Sequence, residues 1–103
     1  KDDIADWQCK YPGHLTSAIN DNMIRIFDGY VGAGYAKAGQ SVIDTIAMLS
    51  RTEGVVLDPV YSGKAFDGLL QEIGNGRFAD DSDIVFIHTG GVFGLFPYKA
   101  MFV

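Results

Sequence analysis

Phenol and hydroxyl side chains lie at two places where an apolar run gives way to glycine. Tyr61 and Ser62 follow the apolar residues 55–57, and Thr89 follows the apolar residues 84–87. Phenols and hydroxyls both donate and accept hydrogen bonds, and glycine lets a ligand approach the backbone closely. The combination suits a flat, polar aromatic ligand whose ring heteroatoms meet the hydroxyl groups.

Other catalytic sets are incomplete. Ser62 has no evident histidine and acid partner, which argues against a serine hydrolase. His88 has two interpretations that the sequence leaves open, a structural histidine or a wall of the pocket. Cys9 has neither a neighbouring histidine nor a glycine-framed helix start, so we expect an inert thiol. The acidic residues 80–83 do not have the spacing of a calcium loop, and we predict no metal site.

A glycine-rich stretch precedes these motifs. Gly29, Gly32 and Gly34 fall within six positions. Tyr30 lies inside this stretch and Tyr35 directly follows it. The stretch is either a connecting loop or a loop that carries a tyrosine into a pocket, and the residues alone do not decide. The remainder of a dinucleotide-binding fingerprint is absent.

Alternating patterns predict an α/β fold, a parallel sheet with flanking helices. Strands are expected at residues 23–27, 55–57 and 84–87. Helices are expected from the N-cap Ser41 to Gly54, from Tyr61 or Ser62 to Gly74, and from Val92 until Pro97 limits the last one. Residues 1–22 are poorly defined, with a possible helix at residues 15–20.

This arrangement would place both polar motifs at one edge of the sheet. Ligands of parallel sheets bind outside the carboxyl ends of the strands, so the two strand ends would form two walls of one site. Free N–H groups at the helix start near Ser62 would favour an anionic ligand.

Composition narrows the class. The chain has 103 residues, of which 48% are hydrophobic and 20% charged, and its net charge is −5. These values predict one globular domain and argue against nucleic acid or an anionic membrane as a partner. A single cysteine excludes an internal disulfide and fits a reducing, cytoplasmic location. No signal peptide or membrane span is evident, and a chain that opens with Lys1 is compatible with an excerpt or a processed product.

Three motifs carry a family resemblance. They are Tyr-Val-Gly-Ala-Gly-Tyr at residues 30–35, Glu-Gly-Val-Val-Leu-Asp-Pro-Val-Tyr-Ser-Gly-Lys-Ala at residues 53–65, and His-Thr-Gly-Gly at residues 88–91. In order and spacing they resemble the C-terminal part of the D-cysteine desulfhydrase and 1-aminocyclopropane-1-carboxylate deaminase family, over about residues 23–98. The resemblance implies a pyridoxal 5'-phosphate enzyme of the tryptophan synthase β-like fold, a cytoplasmic homodimer, and a single partial domain at residues 1–103.

Two positions favour the desulfhydrase branch. The deaminases carry Glu and Leu where this chain has Ser62 and Thr89. A hydroxyl leaves the ring nitrogen nearer to neutral than a carboxylate does, and expulsion of sulfide needs less carbanion stabilisation than opening a cyclopropane ring. Ala33, where Pro is common, and residues 92–94, where Ala-Pro-Ala is usual, depart from the family pattern.

The implied reaction is α,β-elimination of D-cysteine to pyruvate, ammonia and sulfide. By the resemblance, Thr89 and Ser62 bind the cofactor ring nitrogen, and Gly90 and Gly91 leave room for the ring. Tyr61 and Tyr35 are the implied catalytic residues.

The resemblance covers only part of such an enzyme. The Schiff-base lysine and the phosphate loop are missing from this sequence, and Lys64 does not replace that lysine. We therefore expect the isolated chain to be inactive and not to hold the cofactor firmly without a missing N-terminal part. Alternatives are an L-cysteate sulfo-lyase, a deaminase-like enzyme, and a non-catalytic module that oligomerises or binds through its aromatic tail, which ends in Met101 and Phe102.

Overall fold

The computed structural model describes residues 2–14, 24–80 and 83–102. The regular elements of those residues are three α-helices and one 3₁₀ helix. They are α1 (Asp2–Lys10), α2 (Gln40–Glu53), α3 (Ser62–Gly74) and the 3₁₀ helix Val92–Met101.

The core lies between α2 and α3. Apolar residues recur along α2 at helical spacing and face inward, so that Val42, Ile43 and Ile46 are buried. Leu57, in the connection between the two helices, is fully buried against them. Burial of each such side chain contributes about 1.5–3 kcal/mol. Partly buried side chains from several segments pack around this centre: Ala38, Leu49, Phe66, Phe86, Leu95 and Phe102.

A buried carboxylate joins the same two helices on their polar side. Asp67 of α3 is 8% exposed, and its Oδ1 accepts hydrogen bonds from the hydroxyls of Ser41 and Thr45 on α2, both at 2.8 Å. Its Oδ2 accepts a third bond from Gln71 at 2.9 Å. A buried charge is tolerated where hydrogen bonds replace its water, so this cluster fixes how α2 sits on α3.

The helix bounds largely agree with the sequence pattern, but one cap does not. α3 begins at Ser62 and ends at Gly74 as predicted, and Gly54 caps α2 in the left-handed conformation at φ 69°. The predicted N-cap Ser41 is wrong. Gly39, which has no side chain to offer, occupies the N-cap position, and the Ser41 hydroxyl is donated to Asp67.

The predicted α/β fold with its parallel sheet is wrong: no described residue lies in a strand. Residues 24–28, 54–58 and 83–91 have no regular secondary structure. Ile26 is 88% exposed and Val85 is 84% exposed. The preference of a residue type for strands reflects how well its side chain packs on a pleated, half-buried surface, and parallel sheets normally have other elements packed on both faces. In the described chain nothing packs on both faces of these apolar runs, so they do not form hydrogen-bonded strand pairs.

The two ends of the chain also differ from expectation. The closing helix is present, but it is a 3₁₀ helix that continues through Pro97 to Met101. α1 was not predicted, although Asp2 and Asp3 in its first turn and Lys10 in its last turn match the helix dipole. α1 buries none of its side chains. The possible helix at residues 15–20 lies outside the described residues.

None of the helices in the described ranges combines the length and apolarity that crossing a membrane requires.

Candidate functional site

Asp58 is the buried centre of the region where the two polar motifs meet. It is 1% exposed, and its carboxylate accepts hydrogen bonds from the backbone N–H groups of Val60 at 2.9 Å, Tyr61 at 2.8 Å and Ser62 at 2.8 Å. Pro59 keeps Asp58 out of the helical conformation, so its side chain folds over the first N–H groups of α3. A carboxylate from the residues just before α3 therefore caps the start of the helix.

The Ser62 hydroxyl belongs to the same network. It is donated to Asp58 Oδ2 at 2.6 Å, and its oxygen accepts the backbone N–H of Asp58 at 3.0 Å. Ser62 is 3% exposed, so its side chain faces inward. A hydroxyl has one hydrogen to donate, and here Asp58 receives it.

The pKa of Asp58 follows from these contacts. Burial alone would raise the pKa of this carboxyl, but the bonds from the Ser62 side chain and from three backbone N–H groups outweigh burial and hold the pKa below its usual value. Asp58 is therefore a carboxylate at neutral pH. The expectation that the start of α3 offers free N–H groups to an anionic ligand is wrong for Ser62 and Gly63, whose N–H groups are bonded to the carboxylate and the carbonyl of Asp58.

Tyr61 and Tyr35 form an exposed phenol pair. Their ring centroids lie 5.9 Å apart at 61°, an edge-to-face contact, and the residues are 60% and 74% exposed. The hydrogen bond to the Tyr35 side chain, followed by burial and the charge of Asp58, raises the pKa of Tyr61 above that of a free phenol. Because both side chains are exposed, the pair presents phenol groups to the surface.

The glycine loop, residues 30–37, positions Tyr35. Its first residue, Tyr30, donates a hydrogen bond to Glu72 Oε1 of α3 at 2.5 Å, and this bond raises the pKa of Tyr30. A Cβ at Gly68 would lie 2.7 Å from the Tyr30 ring, so only glycine permits this packing. Gly68 of α3 thus permits the close approach of the loop. Of the two tyrosines that the loop was expected to carry into a pocket, Tyr30 lines an apolar pocket, whereas Tyr35 is exposed.

Glu72 is fixed from two sides. Its Oε1 accepts the Tyr30 hydroxyl, and its Oε2 accepts Arg77 Nε at 2.6 Å. The Tyr30 bond, with the Arg77 bond second, lowers the pKa of the Glu72 carboxyl. Because Tyr30 and Arg77 each bind one oxygen of this carboxylate, we assign Glu72 a structural role.

Residues 88–91 form the other side of the site. His88 Nδ1 accepts the backbone N–H of Gly90 at 2.9 Å. The ring proton therefore lies on Nε2, which donates to the carbonyl of Val56 at 3.0 Å. Of its two interpretations, His88 takes the structural one: its side chain joins two segments that the sequence predicted to be paired strands.

The glycines after His88 differ in their surroundings. A Cβ at Gly91 would lie 2.9 Å from Asp58 Cγ, whereas a Cβ at Gly90 would meet nothing within 4 Å. Thr89 is exposed. The structure thus brings Ser62 and Gly91 to the same buried carboxylate, brings Tyr35 to Tyr61, and leaves Thr89 and Gly90 at the surface.

An apolar pocket of about 410 Å³ lies elsewhere, lined in part by Phe27, Phe78 and Phe86. None of the six predicted site residues lines it. Its polar side chains are Tyr30 and Glu72, which are bonded to each other. The pocket offers apolar surface without free reactive groups, so we place the candidate site at Tyr35, Tyr61 and Thr89.

Sequence reasoning missed Asp58 and Lys64. An Asp-Pro pair just before a helix is a recognisable capping signal, so Asp58 had a local signature. Lys64 is 8% exposed and donates to two loop carbonyls, a role that depends on tertiary contact and leaves no local pattern. Among the described residues, no cluster of three or more His, Cys, Asp or Glu side chains could hold a metal ion.

Comparison with known proteins places these residues in a family. Residues 9–90 match the family described as pyridoxal-phosphate dependent enzyme. The D-cysteine desulfhydrases of Salmonella typhi and Salmonella newport (strain SL254) are each 45% identical to this chain over 75 residues, which is 73% of this chain and 23% of each relative. The chain therefore spans about a quarter of the length of these curated relatives. The extent of the family match shows that the chain belongs to the pyridoxal-phosphate dependent enzymes.

Proposed function

We propose that this chain is the C-terminal part of a lyase that uses pyridoxal phosphate to eliminate sulfide from D-cysteine, giving pyruvate and ammonia. The observation that carries the proposal is the exposed Tyr35–Tyr61 pair, with ring centroids 5.9 Å apart, in a chain 45% identical to D-cysteine desulfhydrases. A cytoplasmic location and a homodimer belong to the same proposal.

The residues fit one part of the cofactor and not another. Thr89 is an exposed hydroxyl beside Gly90, where the absence of a side chain leaves open space, and these features suit the edge of a pyridine ring. Ser62 is less suited to the ring nitrogen, because its hydrogen is donated to Asp58. We therefore assign the contact with the ring nitrogen to Thr89, while Ser62 holds Asp58 and Gly91 lets the segment pass close to that carboxylate.

The phosphate does not fit the described residues. The start of α3 would be the natural anion site, but the N–H groups of Ser62 and Gly63 are already bonded to the carboxylate and the carbonyl of Asp58. Lys64 is likewise engaged by two backbone carbonyls. Within the described ranges the chain supplies a wall for the ring, and the anchors for phosphate and aldehyde must come from a preceding part of a longer protein.

The cofactor, when bound, supplies the electron sink that makes removal of the α proton feasible. The role proposed for the residues of this chain is transfer of a proton. Elimination breaks the bond between the β carbon and sulfur, and the departing sulfur takes up a proton. A phenol whose pKa is ordinary or raised carries its proton at neutral pH, so we assign to Tyr61 the transfer of that proton to the departing sulfur.

A chimera tests this proposal. Residues of this chain replace the matched segment of the Salmonella typhi D-cysteine desulfhydrase, and release of sulfide and pyruvate from D-cysteine is measured. We expect turnover, and we expect Tyr61→Phe to lower kcat by about 10²–10⁴-fold, the usual contribution of a general acid. Tyr11→Phe, outside the candidate site, is the matched control and should leave kcat unchanged.

The outcomes separate the alternatives. Sulfite release from L-cysteate without sulfide release would favour the sulfo-lyase, and ring opening of 1-aminocyclopropane-1-carboxylate would favour the deaminase. A chimera that folds and takes up the cofactor, but turns over none of these substrates, would contradict the proposal.

A second candidate, a non-catalytic interaction module, is favoured by the exposure of the aromatic tail. Phe93 is 81% exposed and Phe96 is 70% exposed, with ring centroids 6.1 Å apart. Exposed apolar clusters of this kind mark contact surfaces. Sedimentation of the 103-residue chain distinguishes the candidates: a monomer that stays monomeric as concentration rises would reject self-association.

A further inference from the structure

Lys64 is a buried lysine whose known contacts are backbone carbonyls. It is 8% exposed, and its Nζ donates to the carbonyl oxygens of Val31 at 2.6 Å and Gly34 at 2.8 Å. Lysine is rarely buried unless its charge is satisfied, and hydrogen bonds to a charged donor are about twice as strong as neutral ones. The ammonium therefore binds firmly to the middle of the glycine loop.

The position of Lys64 in the chain links this contact to the phenol pair. Tyr61 is the N-cap residue of α3, and Lys64 lies three residues later, in the first turn of the helix. Gly34, which Lys64 binds, directly precedes Tyr35. Both tyrosines are thus attached to the first turn of α3, Tyr61 through the backbone and Tyr35 through the Lys64 side chain.

The middle of the loop needs such a contact. Gly32 and Gly34 have φ values of +68° and +124°. Glycine adopts these values without strain, but its backbone is free to leave them unless another contact fixes it. The ends of the loop are held by other side chains, since Tyr30 bonds Glu72 and the Tyr98 hydroxyl donates to the carbonyl of Ala36. Lys64 contacts the segment between those ends.

We propose that Lys64 is a positioning residue that holds Tyr35 against Tyr61 by binding the carbonyls of Val31 and Gly34. The phenol pair is then assembled before any substrate arrives. The catalytic meaning of this arrangement rests on the proposed function, but the contact itself does not, so the two are tested separately.

The first test uses the 103-residue chain at neutral pH, with ¹³C-labelled tyrosine rings. We expect ring-to-ring nuclear Overhauser effects between Tyr35 and Tyr61 in the parent chain. In Lys64→Met these effects should be lost, and backbone order parameters across residues 32–36 should fall from about 0.85 to below about 0.6. Lys37→Met, the same substitution on an exposed lysine of the same loop, is the matched control and should change neither quantity.

Chemical rescue separates positioning from general stability. In Lys64→Ala, propylammonium can restore a donor at the two carbonyls, whereas tetramethylammonium at equal concentration has the charge but no N–H. We expect only propylammonium to restore the ring-to-ring effects. Recovery of helix content, seen by circular dichroism, without recovery of those effects would overturn the proposal, as would persistence of the effects in a folded Lys64→Met. If the variants lose helix content, the ring-to-ring effects of Lys64→Ala with propylammonium and with tetramethylammonium still give the decisive comparison.

The chimera supplies the functional readout. We expect Lys64→Met to lower kcat at least tenfold with little change in KM, because a released Tyr35 weakens proton transfer rather than substrate binding. A parent chimera without lyase activity would overturn the proposed function and leave the ring-to-ring result to decide the role of Lys64.

Discussion

Residues 58–64 and residues 88–91 meet at Asp58, but they are held in different ways. The first segment is mostly buried and is fixed by a carboxylate, a hydroxyl and three backbone N–H groups within five residues of each other. The second segment is exposed and is fixed by the His88 side chain and by the contact of Gly91 with Asp58. A helix start can thus be specified by its own local residues, whereas the second segment depends on the first.

Loss of Asp58 should have the largest effect on this comparison. Asp58→Ala removes the acceptor of three N–H groups and of the Ser62 hydroxyl, and leaving buried donors unsatisfied costs about 1–3 kcal/mol each. We expect a loss of about 4 kcal/mol, much of the stability of a small domain. Urea unfolding followed by circular dichroism measures it. Asp44→Ala, on the exposed face of α2, should cost less than about 0.5 kcal/mol, and equal effects of the two changes would contradict the role of Asp58.

A pair of glycines in α3 tests the local part next. A Cβ at Gly63 would lie 2.5 Å from the carbonyl of Asp58 and 2.7 Å from Ile46 Cδ1, whereas a Cβ at Gly74 meets nothing within 4 Å. Gly63→Ala should therefore destabilise by about 2–3 kcal/mol through overpacking. Gly74→Ala should be neutral or stabilising by up to about 1 kcal/mol. Urea midpoints that coincide would show that α3 does not approach Asp58 as closely as described.

The second segment offers its own matched pair. Gly90 and Gly91 have φ values of +95° and +94°, so alanine is strained equally at both, but only Gly91 abuts Asp58. We expect Gly91→Ala to cost about 1–2 kcal/mol more than Gly90→Ala. Because the backbone strain cancels, the difference in unfolding free energy measures the contact between the two segments. No difference would mean that the segments are not joined at Asp58.

The pH dependence of stability should show the smallest effect. The pKa of Asp58 is lowered in the folded chain, so its contribution is fully present above the ordinary carboxyl pKa and is lost as pH falls through the lower folded value. Stability should therefore decline as pH falls below about 4, the ordinary value for aspartate. Asp58→Asn should flatten this decline in urea titrations at several pH values. An unchanged slope would assign acid sensitivity to other carboxyls, of which Glu72 also has a lowered pKa.

The same contrast explains what the sequence could predict. α3 was predicted from Ser62 to Gly74, because its apolar period and terminal glycine are local features. The strands were not predictable in the same way. Val85 and Ile26 have the residue types of strands, but a strand needs a neighbouring strand to pair with, and the described chain leaves both residues exposed. Ser41 was assigned as a cap because capping is local, and the competing acceptor Asp67 lies 26 positions away.

The candidate site divides similarly. The family resemblance implied Tyr35 and Tyr61 as catalytic residues, and the structure places their rings in contact, while their catalytic roles stay predictions. The inward direction of Ser62 could not be read from its type, since a serine at a helix start bonds either outward or to a neighbouring carboxylate. Lys64 could not be found at all, because the carbonyls it binds lie 33 and 30 positions earlier in the chain.

The Asp58 carboxylate has a consequence for how molecules approach the phenol pair. It cancels the positive potential that the first turn of α3 would otherwise project. An anionic ligand that approaches Tyr61 therefore gains little attraction from this helix. Near Tyr61, the uncharged hydroxyls and the shape of the surface, rather than the charge of this helix, would orient such a ligand.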